Sequence, residues 1–294
     1  MKRDFLKILI VTFIAVFIRI ICTPIFGGDP ISTTEPFGNI AGLIGIIPSV
    51  IIMFSISYLH LALIGFYIIR KHIAGNYING LIFGLLIGII WLYGMFEAGI
   101  LKNTSQYKEL LFGISEAIPI VILGLLIAYA LRKEMITSHK ETISDRNSIS
   151  LNITKVIIIA LMYLLFRYVS YVFINIESQY INKPIATFIW TFGNGFLIGL
   201  LYVSMNKWIS SKKDIGKAVI FGIVVFGVDW LLYNLFVPVF FNVSLLELLR
   251  SFVLRSIIDV IGVYIGVYIS ITYEHKKNHL TTASTSYDET SVNM

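Results

Sequence analysis

The chain has 294 residues, 57% of them hydrophobic and only 14% charged, with a mean hydropathy of +0.84 and a formal net charge of +6. That much apolar surface exceeds what a soluble core can bury, so the composition excludes an ordinary water-soluble protein and points to an integral membrane protein. Apolar runs close to the roughly 20 residues needed to cross a ~30 Å hydrocarbon layer recur without the alternation of barrel strands, which predicts an all-α polytopic bundle.

In chain order, the first predicted span covers about residues 5–25. It follows a basic start, "MKRDFLKILI", but continues into "FIRIICTPIF" with no small-residue cleavage site, so it is read as a retained span and not a signal peptide. It carries Arg19 and the single cysteine, Cys22, which leaves no partner for an intrachain disulfide. The segment "GGDPISTTEPFGNIAGLIGIIP" leads to the second span; its apolar end before Pro48 either extends that span or lies in the membrane interface. Further spans are predicted at 49–69, 80–100 and 109–131 and, beyond a polar linker at 132–153, at 154–175, 185–206, 217–240 and 247–273. The Ser/Thr-rich end, 278–294, reads as a disordered tail.

Charge sets the expected orientation. Of the 23 Lys and Arg, sixteen fall on the side of the termini and the linker, four on the other, and three lie within spans. By the positive-inside rule the rich side, with both termini, is cytoplasmic, in the cell membrane. The basic clusters are loops facing lipid headgroups and give no reason to expect nucleic acid.

The halves of the chain resemble one another. "FLKILIVTFIAVFIRI" matches "ITKVIIIALMYLLFRY", aligning Lys7 with Lys155 and Arg19 with Arg167. "LIFGLLIGIIWLYGMF" matches "VIFGIVVFGVDWLLYNLF" with one residue inserted in the second copy, pairing Trp91 with Trp230. "ELLFGISEAIPIVILGLLIAYA" matches "ELLRSFVLRSIIDVIGVYIGVY", pairing Glu109 with Glu247 and Gly124 with Gly262, and a weaker match sets His60 opposite Asn194. Eight transmembrane helices then form two parallel four-helix repeats, 1–131 and 154–277, with a binding site expected at their interface.

Ionisable residues inside the spans carry the functional signal. They are Arg19, Glu97, Glu116, Arg167, Asp229, Arg255 and Asp259, with His60 and Asn194 as secondary candidates. A charge at the bilayer centre costs roughly 2.5–3.5 kcal/mol on insertion scales, so these side chains should face protein or water and find partners. The topology places the seven charged residues in the outer half and His60 deeper. As structural staples, the expected pairs are Arg19 with Glu116 or Glu97, Arg167 with Asp229, and Arg255 with Asp259. As a site, the same residues form a pocket for a small ionic or zwitterionic ligand, and the surplus of one carboxylate over the three arginines favours proton coupling. Arg255, Asp259, Gly262, Gly266 and Ser270 share one helical stripe; Ala117, Gly124 and Ala128 are expected on its counterpart beside Glu116, above a bend at Pro119. Gly193, Gly195 and Gly199 around Asn194 allow close packing or a break.

Motifs for metal-dependent hydrolysis, serine hydrolysis, nucleotide or dinucleotide binding are absent, and no cofactor or metal is implied. "HKKNH" at 275–279 has histidines four apart but no third ligand nearby. Sequons at Asn103 and Asn242 fall in outer loops. The function expected is a small-molecule or lipid transporter among membrane lipids. The alternatives are a membrane-embedded sensor or enzyme acting on a lipid headgroup, and a structural or regulatory protein whose ion pairs are only glue.

Overall fold

The computed structural model describes the backbone of residues 2–26, 39–102, 104–132, 148–211, 213–240 and 243–291. Asn103, Asn242 and most of the predicted linker lie outside these residues. No strand occurs among them, and eight helical stretches are long and apolar enough to cross a membrane. They are α1 (Arg3–Phe26), α2 (Ile46–Ile68), α3 (Tyr77–Leu101), α4 (Gln106–Ala130), α5 (Asn152–Phe173), α6 (Pro184–Met205), α7 (Asp214–Pro238) and α8 (Leu245–Lys277). Each falls within a few residues of a predicted span, because the hydrocarbon thickness fixes the length of an apolar helix.

A short helix, Asn39–Ile44, precedes α2 and packs on α2 and α7. Gly45, at φ 86°, turns the chain between them, a conformation a side chain would strain. At the other end, helical backbone runs on to Ser291, through residues whose composition predicts a disordered tail. A helix already nucleated adds one hydrogen bond per residue without paying for nucleation again, which lets it outlast its apolar stretch.

Helix neighbours occur in matching sets. α1 contacts α4 and α2, as α5 contacts α8 and α6; α3 packs on α4 as α7 packs on α8; and α3 meets α6 as α7 meets α2. The α3–α4 seam depends on glycine. A methyl on Gly84 would sit 2.7 Å from the Ile120 carbonyl oxygen, and Gly80 abuts Gly124, so the two backbones touch. α6 is unbroken around Asn194, and Gly195 and Gly199 seat it on Ala160 and Val156 of α5.

Among the described residues, three segments have π-helical hydrogen bonding: Ile64–Ile68, Ile220–Gly227 and Leu248–Leu254. The second coincides with the single residue by which "VIFGIVVFGVDWLLYNLF" exceeds its match, the insertion lying between Gly222 and Trp230. One extra residue in a packed helix is absorbed most cheaply as a π-bulge, which keeps the flanking turns in place.

The end of the bundle nearest the termini is tied by Asp4–Arg70 at 3.4 Å, Lys155–Glu274 at 2.7 Å and Asp214–His275 at 3.2 Å. Lys155, which the sequence places among headgroup-facing charges, is 2% exposed. It lies a full turn inside α5, where the α8 carboxylate reaches it.

Candidate functional site

Away from that end, the intramembrane charges gather in two groups. Arg19 on α1 meets Glu116 on α4 through both arms of its guanidinium: Nε donates to Oε2 at 3.0 Å and Nη2 to Oε1. Such a fork fixes orientation as well as charge. The Thr23 hydroxyl, one turn on, accepts from Nη1. Phe54 and Phe112 close over the guanidinium, their ring centroids 4.6 and 5.5 Å from Cζ, so the pair is shut in aromatic walls.

The second group is larger. Arg167 on α5, fully buried, lies 2.9 Å from Asp259 Oδ2 on α8 and donates through Nη2 to Glu97 Oε1 on α3 at 3.1 Å. Arg255 on α8 reaches the same Glu97 oxygen at 3.4 Å, and its Nη2 donates to Asn234 Oδ1 on α7. Trp230 Nε1 donates to Asp259 Oδ2 at 2.9 Å. Four helices therefore converge here, with two arginines balanced by two carboxylates; buried ions need such compensation, since desolvation otherwise outweighs their attraction.

Asp229 stands apart. Its Oδ2 accepts from Trp91 Nε1 at 2.9 Å, its Oδ1 has no partner among the described residues, and no arginine reaches it. It is the carboxylate in excess. Of the pairs expected from sequence, Arg19–Glu116 forms, whereas Arg167 pairs with Asp259 and Glu97 instead of Asp229, and Arg255 with Glu97 and Asn234 instead of Asp259. The expected pairs assumed nearness along α8 and a shared depth; the rotational setting of each helix decides otherwise, turning Asp229 toward α3.

The secondary candidates separate. Asn194 donates to Tyr163 Oη at 3.0 Å, and the Tyr163 ring lies 5.9 Å from the Arg167 guanidinium, so Asn194 adjoins the larger group. His60 instead bonds the backbone of Val224 in the π-helical part of α7. The stripe of Gly262 and Gly266 faces Phe166, Met162 and Ile159 of α5, but Ala117 and Gly124 face α3, so the two stripes are not counterparts. Residues missed in the sequence are Asn234, Thr187, Trp190 and the indoles of Trp91 and Trp230. Polar or aromatic residues on apolar helices carry no signal of where they point; only the Trp91–Trp230 match offered one.

A cleft of about 10 Å³, enough for roughly one water molecule, lies beside the larger group. It is lined by Glu97, Tyr171, Gln179, Thr187 and Trp190, with Leu101 at the end of α3. Arg167 lies behind this lining, its Cζ 5.0 Å from the Trp190 ring. Among the described residues no three His, Cys, Asp or Glu side chains gather as a metal site.

The fold and these buried charges define an all-helical, multi-pass membrane protein. No protein-family model matches its sequence, and neither a curated protein nor a solved structure shows significant similarity to it.

Proposed function

We propose that the chain is a transporter of small ionic molecules or lipids in the cell membrane. In this reading it consists of two parallel four-helix repeats, residues 1–131 and 154–277, joined by a linker at 132–153, with both termini cytoplasmic and a charged pocket between the repeats in the outer half. One observation carries it: Glu97, from the first half, is the shared counter-ion of Arg167 and Arg255, both from the second, at the edge of a cleft. Intramembrane charge at a repeat interface is where carriers place substrate and ion sites.

The matched helix neighbours support the repeat. So does burial: in α4, Glu116, Pro119, Ile120, Leu123, Gly124, Ile127 and Ala128 are buried, and the residues 143 positions later in α8 are buried as well. The same separation takes Ala117, which Gly88 touches, to Val260, which Gly227 touches, and takes Val121, beside Gly84, to Tyr264, beside Gly222. In that register Glu116 corresponds to Asp259, and Arg19–Glu116 and Arg167–Asp259 become one pair used twice. Sequence matching set Gly124 opposite Gly262, five residues off, because apolar strings align in several registers.

The test is movement of substrate in proteoliposomes, using panels of small anions, zwitterions and fluorescent lipids. Uptake or flipping by the wild type that Arg167→Ala abolishes supports transport; movement unchanged in both Arg19→Ala and Arg167→Ala counts against it. Ligand-induced stabilisation with no movement favours the sensor or headgroup-enzyme reading. The fact that all three intramembrane arginines already have carboxylate partners favours purely structural pairs as a second reading. In that case, replacing Arg19 and Glu116 together by apolar residues leaves fold and activity intact.

A further inference from the structure

The two halves surround the same arginine with opposite chemistry. Three register relations make the comparison. The 143-residue separation takes Phe112 to Arg255, and the 139 residues between Trp91 and Trp230 take Glu97 to Phe236. In α2 and α6, the buried set Phe54, Ser57, Tyr58, Leu61 and Ala62 recurs 133 residues later as Thr187, Trp190, Thr191, Asn194 and Gly195. Around Arg19 the three positions are phenylalanines: Phe54 and Phe112 cover the guanidinium, and Phe236 packs on Phe54 with centroids 4.8 Å apart. Around Arg167 the same three positions are Thr187, Arg255 and Glu97, and Thr187 and Glu97 line the cleft. Arg19 is walled by phenylalanines; Arg167, itself fully buried, is given a second arginine and a carboxylate partner, Glu97, that lines the cleft.

Around Glu97, hydrogen-bonding capacity is left unmet. Arg167 Nε, Arg255 Nε and the Thr187 hydroxyl are buried without a hydrogen-bond partner among the described residues, as is Asp259 Oδ1 on the far side of Arg167. A single oxygen of Glu97 serves both arginines, at 3.1 and 3.4 Å. Unmade bonds on buried donors are costly, and guanidinium forks match oxyanions in geometry and charge. Glu97 itself is at the margin, 8% exposed on the cleft side, whereas Arg167 behind it is fully buried.

We infer that Arg167 and Arg255 form a binding site for an oxyanion, a carboxylate or phosphate group entering by the cleft beside Thr187, and that Glu97 is the built-in anion which this ligand displaces. The inference rests on the pocket between repeats proposed above and adds its ligand class. An incoming oxyanion brings at least two acceptor oxygens to donors that now share one, and Glu97 moves toward the cleft mouth. The ligand is either a free small anion or the phosphate of a lipid headgroup; the chemistry at the arginines is the same.

The experiment follows thermal unfolding of the full chain in dodecyl maltoside micelles, which carry no phosphate, while sodium acetate or sodium phosphate is titrated against sodium chloride at equal ionic strength. A parallel series adds phosphatidylglycerol to the micelles. Glu97→Gln removes the resident competitor and is expected to respond at a concentration about tenfold or more lower than the wild type, the loss of a charge-assisted contact being worth at least that factor. The response is expected to vanish when Arg255→Gln is added. Glu116→Gln, behind its phenylalanines, is expected not to gain it. A gain with acetate or phosphate identifies a free anion, and a gain only with phosphatidylglycerol identifies a headgroup; both support the inference. Equal curves for chloride, acetate and phosphate in Glu97→Gln, with none from phosphatidylglycerol, overturn it.

Should Glu97→Gln not fold, Thr187→Phe in the wild type decides: it installs the residue the first half has at this position and is expected to remove the wild-type response to anions, whereas an unchanged response, or a wild type with none, overturns the site. Transport of a substrate that is unaffected by these variants would refute the oxyanion site and leave the transport reading standing; anion binding without transport would do the reverse.

Discussion

Glu97 on α3 and Arg167 on α5 meet, Oε1 of the one 3.1 Å from Nη2 of the other, although they sit 70 residues apart and in different halves of the chain. Asp259 holds the other side of the same guanidinium at 2.9 Å. Removing Arg167 therefore strands charge on two helices at once. Arg167→Leu is expected to destabilise the protein by about 3–5 kcal/mol, the usual cost of leaving a buried partner uncompensated, measured by unfolding in mixed micelles. Arg167→Lys restores charge but not the fork and is expected to fall between.

Arg19 and Glu116 form a closed pair, both about 3% exposed, and they allow a double-mutant cycle. Each single replacement, Arg19→Met or Glu116→Leu, is expected to cost about 3–5 kcal/mol, while the double variant recovers most of that loss because both desolvation penalties disappear together. A double variant as unstable as the sum of the singles would mean that the pair does not act as a unit.

Asp229 should behave differently from Asp259. Its one hydrogen bond comes from the Trp91 indole and no arginine reaches it, so Asp229→Asn keeps an acceptor for Trp91 and is expected to change stability by about 1 kcal/mol or less. Asp259→Asn removes the charge opposite Arg167 and is expected to cost several-fold more. The two variants, compared in the same unfolding assay, separate a neutral contact from an ionic one.

The α3–α4 seam gives a test of packing with no charge in it. A methyl on Gly84 would meet the Ile120 carbonyl at 2.7 Å, so Gly84→Ala forces the two backbones apart and is expected to cost about 1–3 kcal/mol. Gly42, with nothing within 4 Å, is the control, and Gly42→Ala is expected to be close to neutral in the same assay.

Eight helices were legible from apolar run length alone, since bilayer thickness leaves little freedom in where a span begins and ends. The residue inserted in "VIFGIVVFGVDWLLYNLF" relative to "LIFGLLIGIIWLYGMF" was legible as well, and the backbone at Ile220–Gly227, within that segment, is π-helical. Partners were not legible. Arg255 and Asp259 share a stripe on α8 and invite pairing, yet the stripe faces two neighbours, and Glu97 and Arg167 from those neighbours claim the charges. Which way a helix is rotated depends on contacts with helices far away in sequence, and a hydrophobic surface all round gives no phase to read. Lys155 was misplaced for a related reason: a lysine at the start of a span looks like a headgroup contact until Glu274 is brought beside it.

Access to Glu97 from outside the cell is the most direct test of a ligand pocket between the halves. In a Cys22→Ser background, which removes the only native thiol, Glu97→Cys, Thr187→Cys and Glu116→Cys are exposed in intact cells to a membrane-impermeant maleimide. The expected result is labelling at 97 and 187, slowed by a transported ligand, and none at 116. Labelling at 116 but not at 97 or 187, or labelling at 97 and 187 only in inside-out vesicles, would contradict the proposed site.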